Sequence, residues 1–451
     1  MAPRARVRLD DRVTIQSGRE IWLDDAAATR ATVPRPASGA TARTDGKDVR
    51  PVLHSADRIL TTHAGSLPRT PALLEANRAK GGAPEAEYDR LLQDSVVDVV
   101  RRQDELGIDV VNDGEYGHVM AAEVDYGAWW HYVFARISGL TPGDVDLWEQ
   151  EPQRSSPGRV VLTSFGDRRD RRIFHEAYTD PASGITTGKQ APFPKITGKL
   201  EYTGHAALEA DIRNLRAGLE ATGASEGYLA ALSPGSCARL ENSHYADEDE
   251  VLAACAEVMR EEYRAITDAG LIVQIDDPSI AENWDQVNPE PSVEDYLAFT
   301  RKRVEALNYA LEGIPEEQVR FHLCWGSWHG PHTTDLGFEH LVELMLSIRA
   351  GGYSFEAANA RHEHEWKVWQ DHELPEGKVI IPGIVSHATN VVEHPELVAD
   401  RIERFARQVG RENVIASTDC GLGGRIHPQI AEAKLETLAR GAELASRRLW
   451  S

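Results

Sequence analysis

The stretch VRFHLCW, Val319 to Trp325, decides the fold. It is an apolar run of strand character that ends in His322 and Cys324, and residues two apart on a strand point to the same face. Seven further runs share its form: ILTTHAGS (59–66), IDVVNDGE (108–115), EGYLAALSP (226–234), LIVQIDDP (271–278), YSFEAANA (353–360), VIIPGIVSH (379–387) and VIASTDCG (414–421). Amphipathic helices are expected between them at 85–106, 246–269, 293–311, 338–350 and 395–409, each closed by a glycine, with a last helix at 429–450. Eight apolar strands alternating with helices predict a parallel sheet closed into an α/β (β/α)8 TIM barrel over 55–451. A doubly wound open sheet is the alternative, but ILTTHAGSLPR lacks the Gly-rich phosphate turn that such a sheet carries after its first strand.

Two segments depart from the rhythm. Residues 1–54 form an N-terminal extension in which VRLDDRVTI and REIWLDD pair as a hairpin around Ser17-Gly18, followed by an Ala, Thr, Pro and Gly-rich linker. This extension is read as a poorly ordered tail or as an arm for a neighbouring subunit. An insertion of about 119–202, after the second strand, is too long for a loop and holds Trp129, Trp130 and Trp148. It is expected to fold as a β-rich excursion serving as a lid over the barrel mouth or as a homo-oligomer contact.

Asp plus Glu number 72 against 49 Lys plus Arg, a net charge of -23, which disfavours nucleic acid and anionic membrane partners. No hydrophobic stretch approaches spanning length, no secretory leader is visible, and four scattered cysteines form no disulfide framework. The expected setting is the cytoplasm, with a small molecule as partner.

Barrel active sites lie at the C-terminal ends of the strands. Those ends carry His63 and Ser66, Asp113 and Glu115, Asp276 and Asp277, His322 and Cys324, Glu356, His387, and Asp419 and Cys420. Zn2+ takes thiolate, imidazole and carboxylate ligands in a tetrahedron. His322, Cys324, Glu356 and Cys420 can converge on such an ion; Cys237 competes for the role, and Cys255 reads as core. RHEHE (361–365) offers a second metal pair, His362 and His364, against the plainer reading of a solvated loop.

In order and spacing, TTHAGSLPR (61–69), NDGEYG (112–117), QIDDP (274–278), the HLC strand, the Glu356 strand and STDCGLGGR (417–425) resemble the catalytic half of cobalamin-independent methionine synthase. The resemblance implies a zinc held by His322, Cys324, Glu356 and Cys420 that activates a thiol. It also implies thiol-substrate contacts at Ser66, Glu115 and Asp276, and a proton-donating histidine at His387. His63 is a second candidate for the acid. The 58 residues before the first strand are too few for that family's second barrel, and ANARHEHEWKVW and TNVVEHPE look more like single-barrel epoxyalkane:coenzyme M transferases.

Two activities follow as expectations. One is zinc-dependent S-alkylation of a small thiol by an alkyl donor such as an epoxide, with Arg425, Arg361 or Arg69 for a sulfonate tail. The other is methyl transfer to homocysteine from a corrinoid or other donor that is not folate polyglutamate. A non-catalytic zinc-binding barrel is the reading from another class.

Overall fold

A computed structural model describes residues 42–44, 47–49, 52–79, 85–120, 128–145, 150–185, 193–224 and 226–451. The hairpin expected within 7–25, and Trp148, lie outside these residues. Part of the expected linker is a short antiparallel pair, Ala42–Thr44 with Lys47–Val49.

Eight parallel strands make one sheet: β1 Leu60–Thr61, β2 Val110–Asn112, β3 Glu226–Leu232, β4 Ile272–Asp276, β5 Val319–Leu323, β6 Gly352–Phe355, β7 Val379–Val385 and β8 Ile415–Thr418. Their order, β1-β8-β7-β6-β5-β4-β3-β2, is that of a barrel opened at one seam. The Asp109 amide closes that seam by donating to the Thr61 carbonyl at 3.0 Å. In return the Thr61 amide donates to the Asp109 carboxylate at 2.9 Å, and Thr62 Oγ1 donates to the Val110 carbonyl at 2.9 Å. Every strand but β6, which starts one residue before its predicted run, falls inside that run, and all eight stop earlier. The polar residues that ended each run leave the ladder and form the loops over the mouth.

Strand side chains alternate between two cores. Leu60, Val110, Tyr228, Ile272, Val379, Ile381 and Ile415 fill the barrel interior, while their neighbours pack outward under the helices. Arg320 is buried inside the barrel over the Tyr228 ring at 4.1 Å, its charge met by the Thr62 hydroxyl. Helices Glu85–Leu106, Glu248–Asp268, Val293–Ala310, Pro395–Val409 and Pro428–Leu449 lie within a residue or two of their expected bounds. The Asp247 and Ser292 side chains cap two of them by accepting from the amides of Glu250 and Asp295. The expected 338–350 helix is reduced to a short 3-10 turn and Val342–Leu346, and His205–Thr222 is a further helix, between the insertion and β3.

The insertion is only partly β. Ile137–Val145 pairs antiparallel with Phe193–Tyr202, but 165–183 folds as short helical turns. Among the described residues no helix is long and apolar enough to cross a membrane.

Candidate active site

Strand β5 ends with His322 and Cys324, and the loop after β8 brings Cys420 to them; one ligand atom from each lies within 4.8 Å of the others. All three are buried. Ser354 on β6 meets His322 Nδ1 at 3.0 Å, so that Nε2, buried and without an oxygen or nitrogen partner, is turned toward the sulfurs. The Cys324 thiol donates to Cys420, which raises Cys324 and holds Cys420 well below the usual thiol range; Arg425 and His322 assist, against burial. Burial pushes the His322 ring down, but the hydrogen bond with Cys420 and the charges of Cys420, Asp276 and Glu356 together raise it above the usual imidazole range. The two sulfurs are thus held unlike, with Cys420 the more acidic.

Glu356 is not in that group. Its carboxylate accepts from the Trp325 amide at 2.9 Å and from Asn359 Nδ2 at 2.7 Å, and it clusters with His387 and Asp419 within the same 4.8 Å limit. Burial, then the Asp419 charge, pushes Glu356 up to about 8. Asp419 Oδ1 accepts from the amides of Ala357 and Ala358 at 2.7 and 2.8 Å, while its Oδ2 and Nδ1 of His387 are buried without partners. Burial raises Asp419 to about 6 and lowers His387 to about 3, leaving the imidazole neutral. Asp419 was visible in the sequence only as a polar strand end. Its place beside His387 comes from the β7–β8 pairing, in which Gly383 lies opposite Ser417.

A cavity of about 1210 Å³, counting its open mouth, joins His322, Cys324 and Cys420 to Ser66, Glu115, Asp276 and Arg425. Asp276 accepts from Gln274 Nε2 at 2.9 Å, and its carboxyl is raised to about 7, chiefly by burial. Glu115 sits at φ +58, a left-handed conformation rare for a residue with a β-carbon. Among the described residues neither carboxylate is ion-paired with an arginine or lysine; the nearest base to Glu115 is His118, at 3.8 Å.

The insertion closes the other side of the cavity with Trp129, Trp130, Phe165, Arg168, Arg171 and Tyr178. Arg168 lies over the rings of Phe165 (4.4 Å) and Trp328 (4.8 Å) and pairs with Glu282, which Arg239 also holds at 3.0 Å. The insertion is pinned by Asp170, which accepts from the amide and hydroxyl of Thr333, and by Trp328 Nε1, which donates to Tyr178 Oη at 2.8 Å.

Several expectations need correction. Neither His63 nor His387 lines the cavity, but His63 has both ring nitrogens bonded whereas Nδ1 of His387 is unpartnered, so His63 is the one set aside. Its Nε2 is bonded to Gln103 Oε1 at 2.8 Å and its Nδ1 accepts from the Gly65 amide at 3.2 Å, so both nitrogens are spent on structure; burial lowers it to about 4. Cys237 packs against Cys255 in the core, away from the metal-type cluster. Arg361 is exposed. The RHEHE segment is not a solvated loop at His362, which is buried against Trp325 and bonded to Asp335 and Glu365.

The chain matches the family described as cobalamin-independent synthase, catalytic domain, over residues 59–126 and 222–443. Most of the insertion falls in the unmatched interval. It is 23% identical to 2-hydroxypropyl-CoM lyase of Xanthobacter autotrophicus over 80% of this chain and 87% of that one. It is 24% identical to methionine synthase of Thermococcus kodakarensis over 86% of this chain and 94% of that one. A solved B12-independent methionine synthase from Shewanella sp. W3-18-1 superposes with a TM-score of 0.62 at 20% identity, over 87% of this chain and 99% of the other, a likeness of fold. With the family matched along both the first two strands and the last six, the chain belongs to the cobalamin-independent synthase catalytic-domain family.

Proposed function

We propose that this chain alkylates the sulfur of a small thiol bearing an ammonium group, homocysteine being the type, with zinc held by His322, Cys324, Cys420 and Glu356. The observation that carries the proposal is one cavity holding the imidazole and two sulfurs together with two buried carboxylates, Glu115 and Asp276, that no arginine or lysine among the described residues pairs. Two buried acids facing one space favour a cationic guest and repel a sulfonate. The donor set fits zinc: two sulfurs, an imidazole whose second nitrogen is fixed by Ser354, and a nearby carboxylate. Zinc bound there would lower the pKa of a substrate thiol, making it a nucleophile at neutral pH.

The chain's own residues divide the remaining work. Glu115 and Asp276 take the ammonium and Ser66 the carboxylate. Glu356 would be the fourth ligand, for which its carboxylate would exchange the bond to Asn359 for the ion. His387, neutral and backed by Asp419, is the group through which a proton passes to the leaving side. The aromatic wall of the insertion keeps water from the reacting pair.

The reading placed first from the sequence, epoxide opening by a sulfonated thiol, has support of its own in Arg168, Arg171 and Arg425 on the cavity wall and in the 2-hydroxypropyl-CoM lyase relative. Zinc-dependent alkylation assays with homocysteine and with 2-mercaptoethanesulfonate, each offered methylcobalamin and epoxypropane, separate the two. Turnover of homocysteine is expected. Turnover of the sulfonate alone would reverse the order, and turnover of neither would dismiss both.

A further inference from the structure

Arg69 closes the TTHAGSLPR stretch and has no part in the chemistry above. It is buried, and its guanidinium spans two loops of the barrel mouth. Nη1 donates to Ser66 Oγ at 2.7 Å and to the Leu67 carbonyl at 3.1 Å, both after β1. Nη2 donates to the carbonyl of Glu115 and, at 3.2 Å, to that of His118, both after β2. The same two loops are joined by the Leu67 amide donating to the Gly114 carbonyl at 3.1 Å and by Tyr116 Oη donating to the Pro68 carbonyl at 2.8 Å. The loop after β8 joins them, since the amides of Leu422 and Gly423 both donate to the Ser66 carbonyl at 2.8 Å.

Glu115 needs such a hold. At φ +58 its β-carbon is crowded, and the peptide relaxes unless something fixes the carbonyl that follows. That carbonyl is the one Arg69 takes, together with the His118 amide at 3.0 Å. The planar fork of a guanidinium reaches four acceptors in fixed directions; an ammonium on a flexible stem does not.

We propose that Arg69 is a positioning residue that sets specificity for an amino-acid thiol. It fixes the Glu115 backbone, and with it the carboxylate aimed at the ammonium, and it fixes the hydroxyl of Ser66. The inference rests on the reading that the thiol carries an ammonium. A site organised in advance binds without the cost of ordering its own groups, so loss of the clamp weakens binding rather than the chemical step.

The test compares wild type, Arg69→Met and Arg69→Lys as zinc-loaded full chains, with zinc content and thermal midpoint recorded for each. For Arg69→Met the KM for homocysteine should rise by about tenfold or more, as expected for misplacing a charged hydrogen bond, with kcat within about twofold. The KM for 3-mercaptopropan-1-ol, which has no ammonium or carboxylate, should not move. Arg69→Lys should fail to restore the homocysteine KM, and it carries the same comparison should Arg69→Met not fold. A crystal structure of the variant should find Glu115 at negative φ. An equal rise in KM for both thiols, or Glu115 still left-handed, overturns the proposal. If wild type shows no preference for homocysteine over the uncharged thiol, the proposed thiol is what fails, and the Glu115 φ in the variant decides the clamp alone.

Discussion

Gly65→Ala tests whether the mouth of the barrel is built around the Glu115 carboxylate. Gly65 has φ +129, and a β-carbon built there overlaps Glu115 Oε1. Ordinary contact begins near 3.4 Å, so the carboxylate must retreat by roughly 1 Å or the Gly65 loop must move with it. Two separate effects follow. Forcing an alanine into that backbone region costs about 1–3 kcal/mol of stability, read as a lower urea midpoint. A carboxylate displaced by that much loses its hydrogen bond to a bound ammonium, worth about 1.5–3 kcal/mol, or roughly a 10- to 100-fold rise in KM for homocysteine. Steady-state kinetics with homocysteine and with an uncharged thiol, alongside urea unfolding, separate the two. A variant that loses stability but keeps its homocysteine KM would refute the assignment of Glu115 to the ammonium.

Other parts of the structure make their own forecasts. Burial alone would lower His332 and His362, but Asp335, joined by Glu365 for His362, raises them to about 9 and about 10. Both values exceed the unfolded one, so the stabilisation is complete below about pH 6.5 and is lost as pH rises through 9 to 10, on the order of a few kcal/mol. Urea midpoints at pH 6, 8 and 10 should fall for wild type and fall less for His362→Gln; parallel curves would exclude the network as the source. Lys434 is fully buried and donates to Glu393 at 2.9 Å and to the Val391 carbonyl at 2.7 Å, while Glu393 accepts the Ser386 amide beside His387. Lys434→Met strands a buried carboxylate and should cost about 3–5 kcal/mol, partly recovered by adding Glu393→Gln; a thermal midpoint within error of wild type would contradict this.

The barrel was legible because its strands are apolar runs that stop at polar residues, a pattern that survives without knowledge of contacts. Strand ends were overestimated for the same reason. In TTHAGS and VIASTDCG the chain leaves the ladder after Thr61 and Thr418, where polar groups bond across the mouth: Thr62 Oγ1 to the Val110 carbonyl, the Ala64 amide to Thr418 Oγ1, and Thr418 Oγ1 to the Cys420 carbonyl. The pairing of His322 with Cys324 follows from a strand period of two, and Cys420 from its place at the end of the last strand. The separate cluster of Glu356 with His387 and Asp419 was not legible, because it depends on the register of β7 on β8 and on amides from the loop after β6. The removal of His63 from the candidate acids depends on Gln103, a helix residue forty positions away whose side chain bears no motif. The helical part of the insertion was not legible because short turns held by Asp170, Tyr178 and Arg168 take their form from tertiary partners rather than from periodicity.

We propose above that His322, Cys324, Cys420 and Glu356 hold zinc and that the thiol binds at that ion. Metal content of the purified chain and of Cys420→Ala, with zinc-edge absorption before and after homocysteine, tests it most directly. One zinc per chain is expected, with its loss in the variant and one additional sulfur neighbour when homocysteine is added. Zinc retained in Cys420→Ala, or an absorption edge indifferent to the thiol, would contradict it.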